Sequence, residues 1–247
     1  ASRPGLNYQR ILPTFIIKPD ELAMLSAIKD ELGHEKNVRQ FRNFTAVNSK
    51  GSFLEVVPVE DNELNFYGMR FQVGDKRERA GRLNQDDLKR NLAAIADAKE
   101  KAEVVIVYLH HHHWEADWEE IPDWTVAFAH ACIDAGADIY ISHGVPTLLG
   151  IEVYRGKPIF YSLGNFIFHS FNPTSWFHDN TWRSVVATSR FGDDGNLSEI
   201  QLDPIVLGGE EALEAKDFSV REVPYMAGAA YGETILNHLA KRSARFG

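Results

Sequence analysis

The sequence has 247 residues and one cysteine, Cys132, so it can form no intrachain disulfide and no cysteine-rich zinc module. It also lacks clustered cations: no run of Lys or Arg exceeds two residues, and 26 Lys and Arg stand against 35 Asp and Glu, for a net charge of −9. Nucleic-acid and anionic-membrane surfaces depend on clustered cations, so we expect neither partner.

Long apolar runs are missing as well. No run approaches the roughly 20 residues that a membrane-spanning helix needs, and the first residues contain no signal-peptide core. We therefore expect no membrane span in this chain. The sequence does not begin with Met, so an upstream signal or anchor stays open and the compartment is not predicted.

Enough apolar residues are present, 44% of the total, to build one sizeable core. That favours one globular domain or two small ones. Two segments have helical periodicity, Asp20–Leu32, which ends at Gly33, and Asn84–Ala102, which begins with a capping Asn. We predict both as amphipathic surface helices.

A βαβ unit is predicted in the middle of the chain. Glu103–Leu109 is a short apolar run rich in β-branched residues, typical of a parallel strand covered on both faces. A helix is expected to begin at Pro122 and end at Gly136, and Ile139–Ile141 is a second short strand.

Later segments alternate between apolar and turn residues. We predict a hairpin turning near Arg155–Pro158 and a second hairpin that joins Thr181–Phe191 to Leu197–Val206. Leu207–Asp217 is predicted as an exposed loop, and Pro224–Phe246 as a helix.

Four consecutive histidines, His110–His113, follow the first strand of the βαβ unit, and His143 follows the second. Ligand sites in α/β sheets lie at the carboxyl ends of strands, so His110 and His143 could share a metal ion. Imidazole suits several divalent transition metals, with Zn, Mn or Fe as candidates. His111 and His113 should alternate away from His110 and His112, and a loop of solvated histidines is an equal alternative for those two.

Three stretches together resemble a known family: VIVYLHHHHWE, AFAHACIDAGADIYISHG and GIEVYRGKPIFYSLGNFIF. They resemble the later half of bacterial CapA-like proteins, the poly-γ-glutamate capsule-synthesis (PGA_cap) family within the calcineurin-like metallophosphoesterase superfamily. The resemblance implies an α/β fold, a β-sandwich flanked by helices, whose strand ends hold a metal centre. It implies that residues 1–247 form a single domain, corresponding to the C-terminal portion of the family fold.

By that resemblance His110 and His143 correspond to metal ligands. Two departures from the family pattern stand out. The terminal motif reads Ser142-His143-Gly144-Val145-Pro146 and lacks its last histidine. No early metal motif is recognisable before Glu103, since the Gly-Asp there, Gly74-Asp75, is followed by charged residues typical of a surface loop. The simplest interpretation is that this chain begins after the first metal motifs, and we then expect it to associate with itself or with the missing segment.

Other residues near the histidines have candidate roles. We assign His112 and Glu115 as candidate catalytic residues, because a base beside an activated water can take its proton. Trp114 is a candidate cleft wall, although a core lid is the commoner role of such an aromatic residue. Asn165 is a candidate for orienting a ligand, with a structural turn role favoured. His169, in an aromatic loop, is a candidate to face the substrate, with packing the alternative.

The leading hypothesis is a metal-dependent hydrolase of an amide, peptide or phosphoester linkage in a small molecule, peptide or polymer. The resemblance implies a connection to poly-γ-glutamate or another cell-surface polymer. A peptide-modifying enzyme of the epimerase type on the same fold is one alternative. A non-catalytic binding or assembly subunit of capsule synthesis is the other, and the two departures support it.

Overall fold

The computed structural model describes residues 6–45, 62–168, 179–214 and 223–247, with the side chains of 40–45 left aside. The chain divides into two compact units, Ala1–Leu88 and Lys89–Gly247. Each combines helices with a β-sheet, which confirms the predicted α/β class. In the described ranges, no helix has both the length and the apolar character that crossing a bilayer requires.

Among its described residues, the first unit contains one four-stranded sheet and two helices. Its elements are β1 (Ile11–Ile17), α1 (Pro19–Glu31), α2 (His34–Thr45), β2 (Glu63–Phe66), β3 (Met69–Val73) and β4 (Glu78–Leu83). The strand order is β2-β3-β1-β4, with β1 parallel to β3 and antiparallel to β4. The predicted helix over Asp20–Leu32 is confirmed as α1, and Gly33 ends it with a φ of 63°.

The second unit carries the run His110–His113 and His143. The helix that leads into it is α3 (Gln85–Lys99), and its further elements are β5 (Ile106–His110), α4 (Asp123–Asp134), β6 (Ile139–His143), β7 (Ile151–Tyr154), β8 (Lys157–Phe160), a 3-10 helix (Asp179–Trp182), β9 (Arg183–Phe191), β10 (Leu197–Leu207), α5 (Glu210–Glu214), β11 (Pro224–Met226) and α6 (Ala229–Ser243). One sheet has the order β5-β6-β8-β7 and the other β11-β10-β9.

Local signals predicted most of this unit correctly. The β5-α4-β6 unit is parallel, as expected. The β7–β8 hairpin turns at Arg155 and Gly156, whose positive φ values of 51° and 73° are those of a two-residue hairpin turn. The β9–β10 hairpin also forms. At α3 the predicted cap is present, because the Asn84 Oδ1 accepts the backbone N–H of Asp87 at 3.1 Å.

Three predictions were wrong in part. The strand ending at His110 is not covered on both faces: β5 lies at the edge of its sheet in the described structure, and Val104, Ile106 and Tyr108 are 56 to 60% exposed. The segment predicted as a loop after Leu207 contains α5, and residues 215–217 lie outside the described ranges. Pro224–Met226 is a strand, because it pairs with the end of β10 instead of extending α6.

Asp138 accepts hydrogen bonds that hold together the segments around the start of the βαβ unit. This buried carboxylate precedes β6 and accepts hydrogen bonds from the Lys99 Nζ at 2.7 Å, the Val105 N–H at 2.9 Å and the Lys157 Nζ at 3.0 Å. Burial by itself would raise the pKa of Asp138, but these bonds stabilise the charged form more strongly and lower it. The residue therefore links α3, the approach to β5, and β8 through one ionised group.

We predict that Asp138→Asn lowers the free energy of unfolding at neutral pH by about 2 kcal/mol, because charge-assisted hydrogen bonds are weakened or lost. Since the folded pKa is depressed, this stabilisation is present above about pH 4 and disappears as the pH falls through the folded pKa. Denaturant unfolding at several pH values measures it. The control Asp97→Asn removes one exposed pair with Lys101 and should cost no more than about 0.5 kcal/mol.

Candidate functional site

The parallel pairing of β5 and β6 places two of the predicted residues together. The register runs from Ile106 opposite Ile139 to His110 opposite His143. The rings of His110 and His143 have centroids 5.6 Å apart at an interplanar angle of 41°. Both imidazoles thus lie side by side at the carboxyl ends of their strands.

His112 joins this pair from the loop after β5. Its Nε2 lies 3.1 Å from the Nε2 of His110. Two nitrogens that each bind one tetrahedral ion at about 2.0–2.1 Å stand about 3.3 Å apart, so this spacing fits two ligands of one ion. It fits an N–H···N hydrogen bond equally well. We call His110, His112 and His143 the imidazole cluster.

The imidazole cluster has nitrogen donors of the kind that bind divalent transition metals, but not a full set of ligands in the part of the chain that the structure describes. Within the residues that the structure describes, no group of three or more His, Cys, Asp or Glu side chains has an arrangement that could hold a metal ion. The closely spaced nitrogens of His110 and His112 are nevertheless suitable donors for a divalent transition metal. The spacing therefore fits two ligands of an ion, and no third ligand is suitably placed among the described residues.

The His111 side chain points away from those of His110 and His112 and is buried, whereas they are exposed. The His111 Nε2 lies 3.0 Å from the Ser142 Oγ, and its Nδ1 accepts the backbone N–H of His113 at 3.3 Å. Its ring packs against Trp124 in a T-shaped arrangement, with the two ring centroids 4.8 Å apart. Burial, and then the neighbouring imidazoles, lower the pKa of His111 to about 4. The solvated alternative is wrong for His111, which is a packed, neutral core histidine, whereas His113 is exposed.

Two glycines that sequence reasoning did not single out position His143. Gly144 has a φ of 113°, and a side chain there would overlap the carbonyl oxygen of His111. The backbone N–H of His111 donates to the His143 carbonyl at 2.9 Å, so the two strand ends touch. Burial and the nearby His110 lower the pKa of His143, and a hydrogen bond with the backbone of Gly164 opposes this only in part. In the sequence, Gly144 within SHG and Gly164 within SLGNF are the residues from which this close packing around His143 could have been predicted.

The other predicted residues divide into those near the imidazole cluster and those elsewhere. The Trp114 ring centroid lies 5.6 Å from that of His112 and 5.2 Å from that of Trp118, so Trp114 borders the cluster and Trp118 packs against Trp114. Glu115 is half-buried in the same loop. His169 lies outside the described residues.

Asn165 crosslinks the backbone beneath the site. It is buried, and its amide Nδ2 donates to the Pro146 carbonyl at 3.3 Å and to the Thr181 carbonyl at 3.1 Å. It follows Gly164, whose backbone contacts His143. Its observed bonds hold the loop after β6 and the 3-10 helix against the Gly164 turn.

These features define an α/β protein with a histidine-lined site at the ends of two parallel strands. Residues 21–170 match the family described as bacterial capsule synthesis protein PGA_cap. The match covers more than half of the chain and includes the whole imidazole cluster. The chain belongs to this family.

Several curated proteins are similar to the chain. An uncharacterized Sinorhizobium fredii protein, y4sH, is 28% identical over 285 aligned positions, covering 100% of this chain and 56% of y4sH. The capsule biosynthesis protein CapA of Bacillus anthracis is 31% identical over 59% of this chain and 34% of that protein. The PGA biosynthesis protein CapA of Bacillus subtilis is 45% identical over 30% of this chain and 19% of its own length. The chain thus spans about half of y4sH and less of the others.

We predict that His143→Ala and His111→Ala separate metal binding from stability. His143→Ala should weaken binding of added Zn or Mn, because it removes a ring from the imidazole cluster. His111→Ala should leave that binding within about twofold and lower the unfolding free energy by about 2–3 kcal/mol, since it removes a buried, hydrogen-bonded ring.

Metal titration of the folded variants and denaturant unfolding measure the two effects. Equal loss of metal affinity in both variants would contradict the distinction between a ligand and a packed histidine.

Proposed function

We propose that this chain is a metal-dependent hydrolase that cleaves an amide, peptide or phosphoester linkage in a bacterial cell-surface polymer or its precursor. The observation that supports it best is the imidazole cluster, in which the ring centroids of His110 and His143 lie 5.6 Å apart and the Nε2 atoms of His110 and His112 lie 3.1 Å apart. Strand-end imidazoles of this kind are where α/β proteins bind ligands and metals.

Each residue of the site has a role in the proposal. His110 and His143 would hold the ion, which when bound would polarise the scissile group and lower the pKa of a water molecule. His112, whose Nε2 lies 3.1 Å from that of His110, would be either a further ligand or a base that takes a proton from that water, and Glu115 in the same loop is the second candidate base. The pair of Trp114 and Trp118 provides an apolar wall that limits water on one side of the substrate.

The substrate class is proposed from the relatives. Two CapA proteins carry names that refer to capsule and PGA biosynthesis. A γ-glutamyl polymer presents repeated amide bonds, which are among the linkages that a site of this kind can hydrolyse. A role in the metabolism of poly-γ-glutamate or a comparable capsule polymer is therefore the proposed context.

A non-catalytic binding or assembly subunit is the second candidate. It is favoured by one observation, that the described residues contain no group of three or more ligands suited to a metal ion. A chain that retains the imidazole cluster without a complete ligand set would bind polymer or a partner without turnover.

We predict that the chain, loaded with Zn, Mn or Fe, hydrolyses a generic phosphodiester or a γ-glutamyl amide, and that His110→Ala lowers this rate by about 100-fold or more. His113→Ala is the matched control within the same histidine run, and its rate should stay within about twofold because His113 lies outside the imidazole cluster. Product formation and bound metal are measured together. Stoichiometric metal without turnover of either substrate would contradict the hydrolase and favour the binding subunit.

A further inference from the structure

A second polar pocket lies in the same unit, between the 3-10 helix Asp179–Trp182 and α6. Its volume is about 260 Å³, and two buried aliphatic side chains form part of its wall. Six polar residues line the rest: Asn180, Arg183, Thr234, Asn237, His238 and Lys241. We call this the Arg183 pocket. None of these side chains belongs to the imidazole cluster, and the function proposed above does not use them.

Positive charge dominates the Arg183 pocket. The Arg183 guanidinium donates to two neutral oxygens, the Tyr231 hydroxyl at 2.9 Å and the Asn180 Oδ1 at 2.8 Å. Over the described ranges, neither Arg183 nor Lys241 forms an ion pair with a carboxylate. A nearby carboxylate, that of Glu119, is already paired with Arg242. Arg183 and Lys241 therefore line a small cavity without an ion-pair partner among the described residues, while Glu119 at its border contacts Arg242 and the Asn180 amide.

His238, which also lines the Arg183 pocket, is a second sign of its excess positive charge. Its Nε2 is buried and, in the part of the chain that is described, has no hydrogen-bond partner. The nearest Glu119 oxygen is 3.6 Å away, which is too far for a hydrogen bond. Burial, and then the positive charges of Arg183 and Lys241, lower the pKa of His238. A buried polar atom left unbonded in a cationic pocket is costly unless something else fills the site.

We propose that the Arg183 pocket binds an oxyanion, the carboxylate or phosphate group of a small ligand or of a polymer side chain. The Arg183 guanidinium, the Lys241 ammonium and the Asn237 amide line it, and groups of these kinds are donors that recognise such oxygens. Pockets for drug-sized ligands typically measure about 300–1,000 Å³, so this cavity suits one charged group with a short stem. Anion binding at the Arg183 pocket needs no metal, so its test does not depend on whether the chain is the proposed hydrolase.

Calorimetric titration of the metal-free chain with three probes tests the proposal. The probes are inorganic phosphate, glutarate and the uncharged glutaramide, and metal is removed by dialysis beforehand so that no chelator competes. At least one anion should bind, glutaramide should not, and added salt should weaken the binding. Binding of phosphate alone assigns a phosphoryl ligand, and binding of glutarate alone assigns a carboxylate; either result supports the pocket.

Lys241→Gln should weaken anion binding by about tenfold, because it removes one charged contact. Lys89→Gln is the matched control, since Lys89 is also an exposed helical lysine of this unit, and it should change the affinity by less than about twofold. Arg183→Lys keeps the charge but loses the planar fork, and should also weaken binding. If that variant does not fold, Lys241→Gln still decides, because Lys241 is exposed.

A second readout follows the His238 ring by NMR. A bound anion should raise the pKa of His238, because it opposes the field of Arg183 and Lys241. The proposal is overturned if neither anion binds, if Lys241→Gln and Lys89→Gln weaken binding equally, or if the His238 pKa does not move when an anion binds.

Discussion

The parallel register between β5 and β6 is the constraint on which the candidate site depends. It sets His110 opposite His143, and it brings the His111 backbone so close to residue 144 that only glycine fits there. A slip of one residue would exchange the faces of the strand and present His111 in place of His110. Asp138 supports this register from the other end, since it binds the Val105 N–H just before β5 begins.

One run of identical residues thus contains two kinds of chemistry. The alternation of side chains along an extended backbone sends His110 and His112 to the open face and His111 toward Ser142 and Trp124. Burial keeps His111 neutral, so it contributes packing and hydrogen bonding. The exposed members retain accessible nitrogens. Composition alone does not distinguish these roles, whereas the strand period does.

Sequence reasoning succeeded where the signals are local. Turn residues predicted both hairpins, and a capping Asn with Gly136 as helix terminator bounded α3 and α4. It failed where pairing is distant: β1 and β3 pair in parallel across intervening helices, and the short, charged strand β4 (ERAGRL) has little apolar periodicity. The proximity of His110 to His143 followed from topology, but the Gly164 contact and the Arg183 pocket arise only when separate loops and helices meet.

The open face of β5 links solvent exposure to chemistry. Ile106 and Tyr108 alternate with inward-facing residues and lie on the same face as His110, forming an apolar approach to the imidazole cluster. Any molecule that shields those two side chains from water also lowers the local dielectric around His110. Coverage of this strand would then bury the apolar approach and exclude solvent from the His110 ring in a single event, so that recognition and access to the imidazole cluster could not be altered independently at this edge.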